Sequence, residues 1–274
     1  MPGPAYEIVQ QFGNVEDDQR YTRLVDLFAD GAVYYDPFFG AQRGKAAIRT
    51  FMEHMEEVVP GSGATFASWH TEADTNCGWA KWDMVAPNAD GEPVAVPGQS
   101  LYRLRHGKVT FVADYLDADA YRALRGADAK VPDHASSIGL SAADTNRGGS
   151  GADLMRQFWQ IQTTQRYTEL AALFTDDAVF TDQVNGEMHG IDEITAFLAH
   201  MEQKIPSAGA RFELVDTAGD STVGWSQWWY RFEHGAVPGW TLHTFDGGKI
   251  SADHDFFDVS LARTLASRAS AGSH

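Results

Sequence analysis

The chain has 274 residues and a mass of 30.1 kDa, about twice the common single-domain length, so two domains are expected. Hydrophobic residues make up 43% and charged residues 22%, an ordinary globular balance with enough chain to bury a core in each half. Against 21 Lys and Arg stand 38 Asp and Glu, and a formal net charge of −17 repels phosphate backbones and anionic lipid, which argues against nucleic acid and membranes as partners.

Cys77 is the single cysteine, which excludes an intrachain disulfide framework and a multi-cysteine metal site. No stretch reaches the ~20 apolar residues of a membrane helix. The first residues carry neither the basic start nor the apolar run of a secretory signal, so a cytoplasmic protein is expected. Eight Trp and 16 Phe in so acidic a chain suggest an aromatic, apolar lining.

Taken in order, residues 6–12 and 19–28 are expected as helices, the second with Tyr21, Leu24, Val25, Leu27 and Phe28 near one face. A short strand over 33–36 leads through a glycine-containing turn into a third helix, where Ile48, Phe51, Met52 and Met55 form an apolar stripe and Pro60 is the expected stop. Strands follow at about 64–72, 76–86 and 95–105, and a hairpin at His106-Gly107-Lys108 opens a last strand to Leu116.

The same order then recurs. Gln19-Arg20-Tyr21-Thr22 returns as Gln165-Arg166-Tyr167-Thr168, Asp36 as Asp182, His54-Met55-Glu56 as His200-Met201-Glu202, and Trp79 and Trp82 as Trp225 and Trp228. After a short deletion, Val96-Pro97-Gly98 returns as Val237-Pro238-Gly239 and Asp114 as Asp255. A period this long makes the repeated unit a whole domain. The boundaries read as a domain over 1–124, a Gly/Ala/Ser/Asp-rich linker over 125–151, a second domain over 152–265 and a frayed tail over 266–274. Helices followed by antiparallel strands make each copy α+β.

This order, with Ala32-Val33-Tyr34-Tyr35-Asp36-Pro37-Phe38-Phe39-Gly40 and Gly44 opening a helix, resembles the nuclear transport factor 2-like superfamily, and within it the SnoaL-like polyketide cyclases and ketosteroid isomerases. The resemblance implies two tandem cones, each with three N-terminal helices on a curved, mainly antiparallel sheet around an apolar pocket. It also implies sheet-to-sheet pairing, so that the tandem forms an intrachain pseudo-dimer, as a monomer or a homodimer. In ketosteroid isomerases the proton-shuttling carboxylate comes from the Asp-Pro motif, which falls on Asp36; the second copy keeps Asp182 but has Gln183 after it. SnoaL-like cyclases use an Asp on the last strand, which falls on Asp114 and Asp255. These four are the candidate catalytic residues.

Strand alternation carries this to neighbouring positions. An inward Asp114 takes Val112 and Leu116 with it, and an inward Asp255 takes Asp253 and Phe257. Trp82 and Met84, or Trp228 and Tyr230, would line the pockets, with Trp79 and Trp225 on the opposite face. Ser100, Tyr102, Thr241 and His243 are the polar candidates to hold a substrate. A carboxyl walled by Trp, Phe and Met would hold its proton to a higher pH, because desolvation disfavours the charged form.

The oxyanion pair of the ketosteroid isomerases is missing: its Tyr falls on Phe12 and Phe158, and its Asp on Gln99 or Ser100 and on Trp240 or Thr241. The expected activity is therefore a cofactor- and metal-free cyclisation, isomerisation or dehydration of an apolar carbonyl metabolite. Epoxide opening is the first alternative, although strand parity turns Arg103 and Arg231 away from the pockets. Simple binding of a hydrophobic small molecule is the second.

Overall fold

The computed structural model describes residues 3–16, 18–140 and 150–271. The chain divides into two units, one ending at Asn146 and the other beginning at Arg147.

In the first unit, α1 (Pro4–Asn14) starts on a proline, whose missing N–H has no partner to lose there, and it buries Ala5, Val9 and Phe12 along one face. A 3₁₀ helix (Tyr21–Leu27) leads into β1 (Phe28–Asp36), β2 (Gly40–Arg43) and α2 (Lys45–Ser62). Next come β3 (Thr65–Ala73), β4 (Cys77–Pro87), β5 (Pro93–Arg105), β6 (Lys108–Leu116) and α3 (Ala118–Arg125). The sheet runs β2-β1-β6-β5-β4-β3, with β1 and β6 parallel and the other neighbours antiparallel.

The second unit repeats this plan: α4 (Ser150–Thr163), a 3₁₀ helix (Tyr167–Leu173), β7 (Phe174–Asp182), β8 (Gly186–His189) and α5 (Gly190–Ser207). Then follow β9 (Arg211–Gly219), β10 (Val223–Phe232), β11 (Gly235–Asp246), β12 (Lys249–Phe257) and α6 (Val259–Ala271), with the sheet ordered β8-β7-β12-β11-β10-β9. Each unit is the expected α+β arrangement of helices on one mixed sheet.

Side-chain alternation follows the reading from sequence. Trp82 and Met84 of β4 and Val112 and Leu116 of β6 belong to the core beneath the helices, whereas Trp79, Ala113 and Tyr115 are buried on the other side of the same strands.

Several local expectations change. The second helix of each copy is a 3₁₀ helix, because Tyr21, Leu24 and Leu27, like Tyr167, Leu170 and Leu173, recur every three residues and pack as one ridge. Pro60 and Pro206 lie inside the last turns of α2 and α5, where a single helix bond is at stake; α2 ends three residues later, at Gly63 in the left-handed conformation (φ 71°).

The helices after the last strands were not expected. α3 is capped by Asp117, which accepts from the Ala120 N–H at 2.7 Å. Beyond it, part of the expected linker is strapped to the first unit: the Tyr35 hydroxyl donates to the Asp133 carbonyl, and Ser137 Oγ donates to the Tyr115 hydroxyl at 3.1 Å. α6 runs through residues expected as tail and buries Ala262 and Leu265; residues 141–149 and 272–274 lie outside the described residues. Among the described residues, no helix is long and apolar enough to cross a membrane.

Candidate active site

A cavity of about 380 Å³ opens in the first unit between the sheet, α1, α2 and α3. Its walls are aromatic: Phe12 and Tyr102 meet edge to face, Trp69 stacks on Trp82 with ring centroids 6.4 Å apart, and Phe66 closes edge-on against Trp82. Phe38 and Phe39 stand on the rim, nearly half exposed, against Tyr121 and Phe51 respectively.

Asp114 lies within this wall, held from both sides. Trp82 Nε1 donates to Ser100 Oγ at 2.9 Å, Ser100 Oγ donates to Asp114 Oδ1 at 2.6 Å, and the Tyr34 hydroxyl donates to Asp114 Oδ2 at 2.5 Å. The relay follows from register, since Ser100 pairs with Asp114 across β5 and β6, and with Ala80 across β4 and β5. Burial pushes the Asp114 carboxyl up to about 7; the two hydroxyl donors oppose the rise, and the charge of Asp36 adds to it.

Asp36 also lines the cavity. Its Oδ1 accepts from the backbone N–H groups of Phe38 (2.7 Å) and Phe39 (2.9 Å), the turn geometry typical of Asp. Burial outweighs those two bonds and raises its pKa to about 6. Tyr102 remains a hydroxyl donor, since burial and the Asp114 charge hold its pKa well above the usual range. A third carboxyl, Glu16, accepts from the Tyr21 hydroxyl at 2.7 Å.

The second unit carries a smaller cavity, about 230 Å³, with the same relay: Trp228 Nε1 donates to Thr241 Oγ1 at 2.8 Å, which donates to Asp255 Oδ1 at 2.5 Å. The second donor is gone, because Phe180 stands where the first unit has Tyr34. Asp182 lines the rim and accepts from the backbones of Val184 and Asn185. Gln183, which stands where the first copy has Pro37, ties this turn to β12 by accepting from the Phe257 N–H at 2.6 Å.

All the sequence candidates of the first copy therefore reach one cavity: Asp36, Trp82, Met84, Ser100, Tyr102 and Asp114. In the second copy Asp182, Trp228, Tyr230 and Asp255 line the cavity, but Thr241, His243 and Asp253 do not. Thr241 acts behind Asp255. His243 and Asp253 lie deeper, fully buried, with Asp253 Oδ2 3.1 Å from His243 Nδ1. Burial pushes Asp253 up and His243 down to about 3, so the pair is neutral. Phe158 of α4 packs edge-on against His243 with ring centroids 5.5 Å apart, and Trp159 beside it donates from Nε1 to Ser226 Oγ at 2.8 Å.

Sequence reasoning missed Tyr34, Trp69, Tyr121 and Glu16. Tyr34 was readable, because it precedes Asp36 by two residues on the same strand and so shares its face.

The family model for the SnoaL-like domain matches residues 9–112 and again residues 155–252. The chain belongs to this SnoaL-like family. No curated protein matches it. A Mesorhizobium loti NTF2-like protein of unknown function is 21% identical, covering 42% of this chain and 96% of its own, with a TM-score of 0.35. A hypothetical Catenulispora acidiphila protein with a ketosteroid isomerase-like fold, solved with trimethylamine, is 19% identical over 42% of this chain and 92% of its own, TM-score 0.37. A candidate polyketide cyclase from Xanthomonas campestris is 16% identical over 44% of this chain and 96% of its own, TM-score 0.36.

Proposed function

We propose that the first unit of this SnoaL-like protein is a cofactor-independent acid/base catalyst that cyclises, isomerises or dehydrates an apolar carbonyl-bearing metabolite. The observation that carries this reading is Asp114 in an aromatic cavity, with a pKa near 7 and a hydroxyl donor on each oxygen. A carboxyl so tuned takes a proton from carbon and returns it within one turnover, because neither form is strongly favoured near neutrality.

In the proposed cycle the substrate's α-proton passes to Asp114. The electron pair moves onto the carbonyl oxygen, to which the Tyr102 hydroxyl of the lining donates. Return of the proton to another carbon completes an isomerisation, and its delivery to a leaving hydroxyl completes a dehydration. Attack of the enol carbon on a second carbonyl closes a ring. Asp36 acts as the second acid at the rim. The aromatic walls exclude water and hold the substrate in one fold.

Epoxide opening has less support, since it needs an arginine on the strands beside the acids, and the one arginine of this lining, Arg125, is exposed at the end of α3. Arg103 lies outside the cavity lining, and Arg231 is committed to Glu213, its Nε donating to Oε2 at 2.5 Å. The test is to incubate the protein with a panel of apolar cyclic ketones in deuterium oxide and follow α-carbon labelling by proton NMR. Labelling above the buffer rate that disappears in Asp114→Asn supports the reading. Labelling equal in wild type and variant overturns it.

A further inference from the structure

The two cavities share a relay but differ in everything that sets the charge of its carboxyl. In the first, Asp114 has two hydroxyl donors, which favour the ionised form. In the second, Asp255 has one, from Thr241, and Asp253, two residues along the same strand face, is a second buried carboxyl where the first unit has Val112. Burial first, and the neighbouring Asp253 after it, raise the Asp255 carboxyl well above the usual range, so the second unit keeps Asp255 as an acid.

The mouths differ in the same sense. Glu16 and Asp36 join Asp114 in the first cavity, with Arg125 as the lone cation of its lining. The second is flanked by Lys204 from α5 and Arg263 from α6, neither of which forms an ion pair among the described residues, and by His200. Its one rim carboxylate, Asp182, has Oδ1 occupied by two backbone N–H groups and the Asn185 amide. The interior wall is apolar, with Phe212 stacked on Tyr230 at 4.7 Å and edge-on to Trp228. His243 lies beneath this floor, neutral and out of reach of the cavity.

We propose that the second unit is a separate binding site for a small aromatic or apolar acid, whose carboxylate or enolate oxygen accepts a hydrogen bond from the acid form of Asp255 while Lys204 and Arg263 meet its charge at the mouth. The volume, about 230 Å³ against 380 Å³, limits the ligand to roughly a bicyclic ring system. This inference extends the reading of the first unit but does not depend on its catalysis.

Calorimetric titration of the full-length protein with 2-naphthoate and, separately, 2-naphthylmethylamine tests it. Naphthoate is expected to bind and the amine to bind at least about tenfold more weakly. Lys204→Glu combined with Arg263→Glu should weaken naphthoate by about tenfold or more. Phe180→Tyr should also weaken it, because the new hydroxyl stabilises ionised Asp255. Phe180 lies between Phe174 and Phe197 as Tyr34 lies between Phe28 and Phe51, so the added hydroxyl has its place prepared. In Asp255→Asn, whose side chain cannot ionise, the weakening of naphthoate binding at high pH should disappear. The proposal is overturned if neither probe binds, if the amine binds as well as naphthoate, or if the charge reversal and Phe180→Tyr leave affinity unchanged. Failure of ketone labelling in the first unit would change none of these titrations, so the two readings fail separately.

Discussion

The Tyr34 hydroxyl donates to Asp114 Oδ2 at 2.5 Å, and this bond is what the duplicated unit has lost. A hydroxyl held against a carboxylate stabilises the ionised form, so it moderates the rise that burial imposes on Asp114. Removing it should carry the carboxyl above its present value of about 7. A hydrogen bond to a charged group is worth about 1.5–3 kcal/mol, which corresponds to a shift of about one unit or somewhat more. In Tyr34→Phe the carboxyl titration, followed by carbon-13 NMR of labelled aspartate, should move up by that amount, and with it the acid limb of any turnover profile. An unchanged titration would mean that the bond does not govern this carboxyl.

The same elevation makes a stability prediction. In the unfolded chain Asp114 ionises near pH 4 (about 3.9 for a free Asp), whereas the folded protein keeps the proton to about pH 7. Between these values the native state binds more protons than the unfolded one. The contribution of Asp114 to stability is therefore complete below about pH 4 and is lost as pH rises through about 7. Asp114→Asn cannot ionise, so its stability relative to wild type should improve between pH 4 and pH 8, by about 2 kcal/mol after allowance for solvent in the cavity. Urea denaturation of both proteins across that range measures the gap, and a gap independent of pH would contradict a raised carboxyl.

Gly98 and Gly239 explain why the Val-Pro-Gly tripeptide occurs in both copies. Each pairs across the sheet with the tryptophan that begins the relay, and the Trp82 and Trp228 rings lie so close over these glycines that a Cβ would overlap them. Gly98→Ala should push Trp82 from its place, break the donation to Ser100 and cost about 1–3 kcal/mol of stability. Ser100→Ala leaves the Trp82 ring in place and removes only the hydroxyl that links it to Asp114. It should cost less stability than Gly98→Ala, while any catalytic loss the two share reports the relay. Thermal unfolding beside the ketone-labelling rate separates them.

The framework was legible because its signals are periodic and doubled: spacing by three and four on α2, alternation on β4 and β6, and the same residues returning in the second copy. Alternation placed Asp114, Trp82 and Met84 on the cavity side. It could not place Trp69, because β3 slips register between Ala67 and His70 and Ser68 takes a positive φ of 56°, so Phe66 and Trp69 reach the same cavity from positions of opposite parity. Asp253 and His243 were assigned to the correct face but the wrong depth, since no strand pattern announces that α4 lays Phe158 against His243 and bonds Trp159 to the neighbouring Ser226. The helices α3 and α6 follow strands whose ends the sequence marks clearly, but the short apolar spacing of α3 and the Ala/Ser-rich sequence of α6 resemble linker and tail.

That exchange of tryptophans is reciprocal, and it can be tested as a pair. The first unit has Gly13 on α1 and Trp69 on β3; at the corresponding positions the second has Trp159 on α4 and Val215 on β9. A Cβ on Gly13 would stand 2.7 Å from the Trp69 ring, so the glycine gives that ring its room in the cavity wall. Replacing a helical glycine by alanine ordinarily stabilises by up to about 1 kcal/mol. Here Gly13→Ala should instead destabilise, by about 1–3 kcal/mol, because the ring must move. In a Trp69→Val background the obstacle is absent and the ordinary stabilising sign should return. A double-mutant cycle read by urea denaturation gives the coupling, expected at about 1–3 kcal/mol. Additive effects would show that the two positions vary independently.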